Sequence, residues 1–317
     1  RMYERTIHIA WHALSLWWFC RTDGRGPNDV RTNLEEHVET LRFVAESGKP
    51  FEPNVPHHFA FRGGDDVTYV VSAVLAARAA KQLGVRHLVL QIMLNTPRAT
   101  WGIQDLAKAR ATLTLVRELE DRSFRVYLQP RAGLDYFSHD TKKAKMQLAA
   151  VTALMDDIEP ADSASPDIIH VVSYSEGAFL ATPPVVNEST RITRAALHAW
   201  RVLRTKGDVP DMARDADVLT RTRRLTEEAR VLLAAIDTTV VAPCSAKGLY
   251  DIFRAGYLAA PHLWECRREF RHAVRWRTRV VSGAVKVVDE VGREISAAER
   301  AEEASYHYRN EVTSRAG

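Results

Sequence analysis

The sequence predicts an α/β fold built from repeated strand-loop-helix units, and three observations carry that expectation. Between Asn54 and Thr190 a short apolar stretch runs through a loop into an amphipathic helix four times. The apolar stretches are short and continuous, as parallel strands covered on both faces require, and this argues against an antiparallel sandwich. The unusual polar residues gather in the loops that follow the strands, at one end of such a sheet. The expected architecture is a TIM-type (β/α) barrel, incomplete at its N-terminus, with a C-terminal helical and β-hairpin appendage. Only four strands are evident where a closed barrel uses eight, and the chain begins with Arg1, so earlier units are expected upstream.

The elements follow in order. Ile7 to Leu14 has a helix-like pattern, and Asn28 to Ser47 is a helix with Leu34, Val38, Leu41 and Val44 as its stripe, stopped at Gly48-Lys49-Pro50. Val55 to Phe61 is the first expected strand. It leads through Arg62-Gly63-Gly64 to a helix over Val67 to Leu83, with Asp65 or Asp66 as N-cap. The second unit pairs His87 to Gln91 with a helix from Gln104 to Glu120. The third pairs Phe124 to Leu128 with a helix from Thr141 to about Ile158. The fourth strand, Ile168 to Val172, leads to a helix entered at Pro183-Pro184, which suit a first turn.

A composition shift at Lys206 to Asp211 divides the chain into a barrel part, residues 1–205, and a C-terminal part, residues 206–317. The second part should hold helices from Val218 to Ile236 and from Ala246 to Ala255. A hairpin from Arg279 to Asp289, turning at Ser282-Gly283, comes next, and a charged, solvated or frayed end begins at Ala297.

Composition sets the class. The chain of 317 residues is 46% hydrophobic and 26% charged, enough for a sizeable core. Cys20, Cys244 and Cys266 are scattered and lack CxxC spacing, which suggests neither a disulfide framework nor a zinc site and fits a cytoplasmic location. No apolar run approaches the roughly 20 residues that cross a bilayer, and no signal peptide is evident. The net charge of +4 is concentrated in Arg267, Arg268, Arg271, Arg275, Arg277 and Arg279. Glu265 and Glu269 stand among them at helical spacing, so a solvated, partly paired face explains them better than nucleic acid does.

The candidate chemistry lies where strands end. Arg62, backed by two glycines, could meet an anion with its guanidinium and with exposed amides, or could simply belong to a tight turn capped by Asp. Gln91 ends the second strand, and the loop Ile92 to Gly102, with Asn95, Pro97, Arg98 and Trp101, is longer than a connection needs. Gln104 and Asp105 open the next helix as ligand groups or as caps. Gln129 and Arg131 end the third strand, ahead of Gly133 and Asp135-Tyr136-Phe137, and Arg131 requires either a ligand or an internal ion pair. Tyr174 and Glu176 end the fourth, where Glu176 is a candidate acid, base or ribose ligand, or a helix-leading cap.

From about Pro50 to Trp200 the chain resembles the barrel of the large subunit of adenosylcobalamin-dependent glutamate mutase, also called methylaspartate mutase. The resemblance rests on the strand-helix order, Ile103-Gln104-Asp105-Leu106-Ala107, Val126-Tyr127-Leu128-Gln129 followed by Gly133, and Glu176 after an apolar strand. Leu225 to Pro261 is similar to that subunit's C-terminal part. The chain departs from the family at Ser173, Pro130-Arg131-Ala132 and Trp17-Trp18-Phe19.

The resemblance implies a radical carbon-skeleton mutase, an isomerase, in which the cofactor carries the difficult step. Gln129, Gly133, Tyr174, Glu176 and Gln104 would line the adenosyl and corrin side. Arg62, Gln91 and Arg131 are placed here as anchors for a substrate carboxylate, with Glu176 and Arg131 as the catalytic pair. No Asp-x-His-x-x-Gly occurs, so adenosylcobalamin would be shared with a separate cobalamin-binding subunit or domain, and an oligomer is expected. No protein metal ligands, nucleic acid or membrane are implied. Two other classes stand beside it: a cobalamin-independent barrel lyase or aldolase, and a non-catalytic relative that binds or assembles. Against the first, no strand ends in lysine, and His57 and His58, on opposite faces of a strand, chelate poorly.

Overall fold

The structure is a computed structural model that describes residues 5–100 and 102–313. Four parallel strands form its sheet in unbroken chain order: β1 (His12–Leu14), β2 (Phe51–Pro53), β3 (His87–Leu94) and β4 (Arg125–Ala132). Because β-α-β crossovers are right-handed, such an order puts the connecting helices on one face. That face carries Leu88, Leu90, Ile92, Leu94, Val126, Leu128 and Ala132, all buried. The opposite face carries the in-register pairs Gln91/Gln129 and Met93/Arg131, with Glu52 on β2.

A fifth segment joins β4. Ile168 and His170 donate to the Leu128 and Pro130 carbonyls, both at 3.1 Å, and His170 bridges Arg131, but no continuous strand forms over Ile168 to Val172. Pro130 has no N–H for the Ile168 carbonyl, the bond that a continuous parallel ladder would place between those two.

The helices on this frame are α1 (Val30–Ser47), α2 (Pro56–Phe61), α3 (Asp66–Gln82), α4 (Gly102–Arg117), α5 (Thr141–Asp156) and α6 (Pro183–Lys206). Asp29, Asp65 and Asp140 cap α1, α3 and α5 by accepting backbone N–H bonds. The predicted stripe of α1 is buried. After α6 come α7 (Ala216–Thr239), α8 (Ala246–Ala255), the single turn α9 (Arg271–Val274), the hairpin β5 (Arg277–Val281) and β6 (Ala284–Val288), and α10 (Ala297–Thr313). α7 packs on α3 and α4, α8 on α1, and α10 on α7. One apolar cluster contains Leu16, Phe59, Leu90, Leu232, Phe253 and Tyr308, so the core runs through both halves of the chain.

Four expectations are corrected. Val55 to Phe61 is the helix α2, with Pro56 in its first turn, and the strand is the three residues before Asn54; a short apolar run has no period that separates the two. Ile7 to Leu14 ends in β1, a strand fixed by pairing with β2. The Arg267 to Arg279 segment is a turn, α9 and β5, so its glutamates have no helical register. The end from Ala297 is a helix as far as Thr313, beyond which the expectation lies outside the described residues. Its Arg300 is 2% exposed and donates to Asp65 Oδ1 at 2.8 Å, Thr68 Oγ1 at 2.5 Å and the Tyr257 carbonyl at 2.6 Å. No helix among the described residues is long and apolar enough to cross a membrane.

Candidate functional site

The carboxyl ends of β2, β3 and β4 gather a polar group on the face that the helices leave. Glu52 is buried. It accepts from Trp11 Nε1 at 2.8 Å and from Gln91 Nε2 at 2.7 Å, and Gln91 also donates to Gln129 Oε1 at 3.2 Å. Burial raises the Glu52 carboxyl above its ordinary range, against the lowering pull of the Trp11 and Gln129 side chains and of the Arg131 charge.

Two residues along β4, Arg131 stands half-buried beside His170. Its guanidinium donates only to the Ala132 carbonyl at 3.4 Å, and no carboxylate among the described residues comes within ion-pair distance. Burial lowers its pKa, while Glu176 and Glu52 oppose that from further away.

The helix α2 adds His57 and His58, with ring centroids 4.3 Å apart. Phe61 edges both rings, and Phe19 edges His58 at 5.4 Å. Arg25 Nη2 lies 3.4 Å from His58 Nδ1, and its guanidinium sits 3.9 Å above Phe19. The loop that brings these groups in is strained: Leu16 and Phe19 take φ of 48° and 62°, which non-glycine residues rarely adopt.

All three histidines are held neutral, first by burial and then by nearby cations. His57 is pushed well below its usual range by burial, His58 and Arg131. His58 is lowered to about 3 by burial and Arg25, and His170 to about 4 by burial and Arg131. Inside this ring His57 Nδ1 and Gln91 Oε1 are buried with no hydrogen-bond partner among the described residues. The arrangement is an arginine with no anion, walled by neutral imidazoles, aromatic edges and one orphaned amide oxygen.

The predicted residues divide accordingly. Gln91, Gln129 and Arg131 belong to the group, and Glu176 is close enough for its charge to act on Arg131. Glu176 is exposed, and its Oε1 accepts from the Ser173 N–H at 3.1 Å, the local turn bond of a cap. Arg62 lies to the outer side, 5.7 Å from the Trp18 ring, although its charge still reaches His58.

The glycines behind Arg62 offer no amide cradle. Their N–H groups bond the Ala60 and Phe59 carbonyls, and a Cβ on Gly64 would meet two carbonyl oxygens at 2.8 and 2.9 Å. Gly133 is filled likewise, since a Cβ there would strike Thr96 Oγ1. Tyr174 is committed elsewhere and donates to Glu188 Oε2 at 2.6 Å. Gln104 serves a separate buried cluster, where it donates to Asp66 Oδ2 at 2.8 Å beside Lys108 and Asp105. There burial raises Asp105 to about 6. Trp101 lies outside the described residues.

Sequence reasoning missed Glu52, His57, His58, His170, Arg25 and Phe19 as a group. Glu52 and His170 carry a signal in hindsight, being lone ionisable residues inside apolar strands. His57 and His58 carry none, because their adjacency depends on α2 being helical, which also overturns the opposite-face reading. Among the described residues no group of three or more His, Cys, Asp or Glu side chains is arranged to hold a metal ion. The sequence matches no known family model, and no curated protein is significantly similar to it.

Proposed function

We propose that the rim around Arg131 binds a small carboxylate substrate, and that the chain is the catalytic-barrel part of a cytoplasmic adenosylcobalamin-dependent carbon-skeleton mutase resembling the glutamate mutase large subunit. The observation that carries the first half is the unpaired, half-buried Arg131 facing neutral histidines. A cation in that position is stabilised by a bidentate carboxylate, and the surrounding neutral imidazoles can donate to its remaining lone pairs. The unbroken strand order, with the helices on one face, supports a barrel wall whose inner face is this polar one.

The fit of the cofactor is partial. Of the residues expected along it, Glu176 stays open to a ribose hydroxyl, whereas Gln129, Gly133, Tyr174 and Gln104 are spent on contacts within the chain. The cobalamin would therefore be held mainly by a separate subunit or domain, and when bound it would supply the radical that starts the rearrangement. The chain's own part is to hold the carboxylate on Arg131, to fix its orientation through the histidines, with Gln91 Oε1 accepting from a donor elsewhere on the substrate, and to exclude water with Phe19 and Phe61.

The test is to titrate the chain with a panel of C4 and C5 amino and acyl acids by calorimetry. The panel is then repeated with adenosylcobalamin and a cobalamin-binding subunit while the cob(II)alamin electron-spin signal is recorded. A carboxylate that binds and triggers the signal supports the whole reading. Binding without a signal leaves a carboxylate-binding barrel of the lyase or assembly class, and no binding by any acid ends both halves.

A further inference from the structure

The arginine-rich segment forms an edge. β5 pairs with β6 through Val281 and Ala284 across Ser282-Gly283, whose φ values of 50° and 82° make the tight turn that favours hairpins. In that register residues 277, 279 and 281 exchange bonds with β6, which turns the backbone N–H and C=O of Thr278 and Val280 outward. The other edge of β6 is closed, with Glu294 bridging Val288 and the Ile295 N–H on the Val287 carbonyl at 3.0 Å. β5 is thus the unpaired side of the hairpin, and Val280 and Val281 on it are 41% and 42% exposed.

This edge is cationic. Arg277 and Arg279 project from it, and beside it Arg275, His262, Trp264 and Trp276 join them in a cleft of about 530 Å³. Arg275 and Arg277 are partnered by Glu303 and Glu290. Arg267, Arg268 and Arg279 have no ion pair among the described residues, and Arg267 lies 4.7 Å over the exposed Trp264 ring. Arginines on an edge strand repel a second copy of the same edge, which is one way proteins prevent aggregation. The same charges attract a strand of opposite sign.

We propose that β5 and its cleft take up an extended acidic segment of a partner protein as an added strand. The Thr278 and Val280 backbone would bond the segment, and Arg277 and Arg279 would pair with its carboxylates. Charge complementarity selects this occupant. A phosphate backbone fits less well, because Glu265, Asp289 and Glu290 interrupt the arginines and Arg267 already covers a face of Trp264. The inference stands apart from what the rim binds.

The test uses the full chain and a fluorescein-labelled decapeptide of alternating Glu and Thr. A second peptide carries proline at alternate Thr positions, and an oligo-dT of equal charge is the third probe. Expected are saturable anisotropy with the first peptide, slowed hydrogen exchange at Thr278 and Val280, and binding weakened roughly tenfold or more in Arg277→Glu/Arg279→Glu, a pair of exposed sites. The control Arg191→Glu/Arg214→Glu should bind as the parent does. Equal binding of the proline peptide overturns the added strand, and tighter binding of oligo-dT overturns the acidic partner. A concentration-dependent dimer that the Arg277→Glu/Arg279→Glu variant abolishes assigns the edge to a second copy, which also overturns it.

Discussion

Arg131 is the residue on which the site turns, because a guanidinium cannot shed its charge to escape burial. Histidines beside it can, and His57, His58 and His170 do so. An anion bound to Arg131 would reverse the balance and raise those pKa values, so binding should take up protons. Arg131→Met is expected to weaken carboxylate binding about 10- to 100-fold, the worth of hydrogen bonds to a charged group, while Arg131→Lys restores part of it. Calorimetry in two buffers of different ionisation heat checks both points, and identical heats in both would remove the proton coupling.

At the scale of elements, α10 is docked by buried Ala301, Ala304 and Tyr308, by Ser305 bonded to the Tyr257 hydroxyl, and by one buried ion pair. Arg300 joins it to Asp65, the cap of α3, and to Thr68, whose hydroxyl also accepts from the Ala259 N–H at 3.0 Å. Three segments far apart in the chain thereby meet on one guanidinium. Arg300→Met leaves the Asp65 carboxylate buried without its cation and is expected to cost about 3–5 kcal/mol, seen as a lower urea midpoint. Adding Asp65→Asn should recover part of the loss, since the amide still accepts at the cap. A midpoint unchanged in the single variant would mean that the helix is held by its apolar face alone.

For the whole molecule, the neutral histidines set the response to acid. A histidine whose folded pKa is depressed gains its proton on unfolding, so its contribution is full above about pH 6.5 and is lost as pH falls toward the folded value. For His58, lowered to about 3, the loss between pH 6.5 and 5 is about 1.5 kcal/mol. Asp105, raised to about 6, acts in the opposite direction, adding stability at low pH that is lost as pH rises through 6. The net expectation is a melting temperature that falls on acidification. The fall should be shallower in His170→Asn and steeper in Asp105→Asn, which removes the opposing group. Parallel pH profiles for all three proteins would show that neither group is perturbed as described.

What the sequence determined by itself was local. Apolar runs of strand length, the cap at Asp65, and the Ser282-Gly283 turn are set by neighbours within a few residues, so β3, β4, α1, α8 and the hairpin were legible. Gln91, Gln129 and Arg131 could likewise be placed on these strands, although β3 and β4 run on to Leu94 and Ala132, so that Gln91 and Gln129 lie inside them and not at their ends. Tertiary structure decided the rest. β1 and β2 are three residues each and exist through the bonds they share. The same geometry turned His57 and His58 into a close, tilted ring pair, buried Arg300 at the start of a charged helix, and drew Gln104 and Tyr174 away from the rim. The physical reason is common to all of these: a polar group is satisfied by whichever partner the packed chain brings within 3 Å, and that distance is fixed only when the core closes.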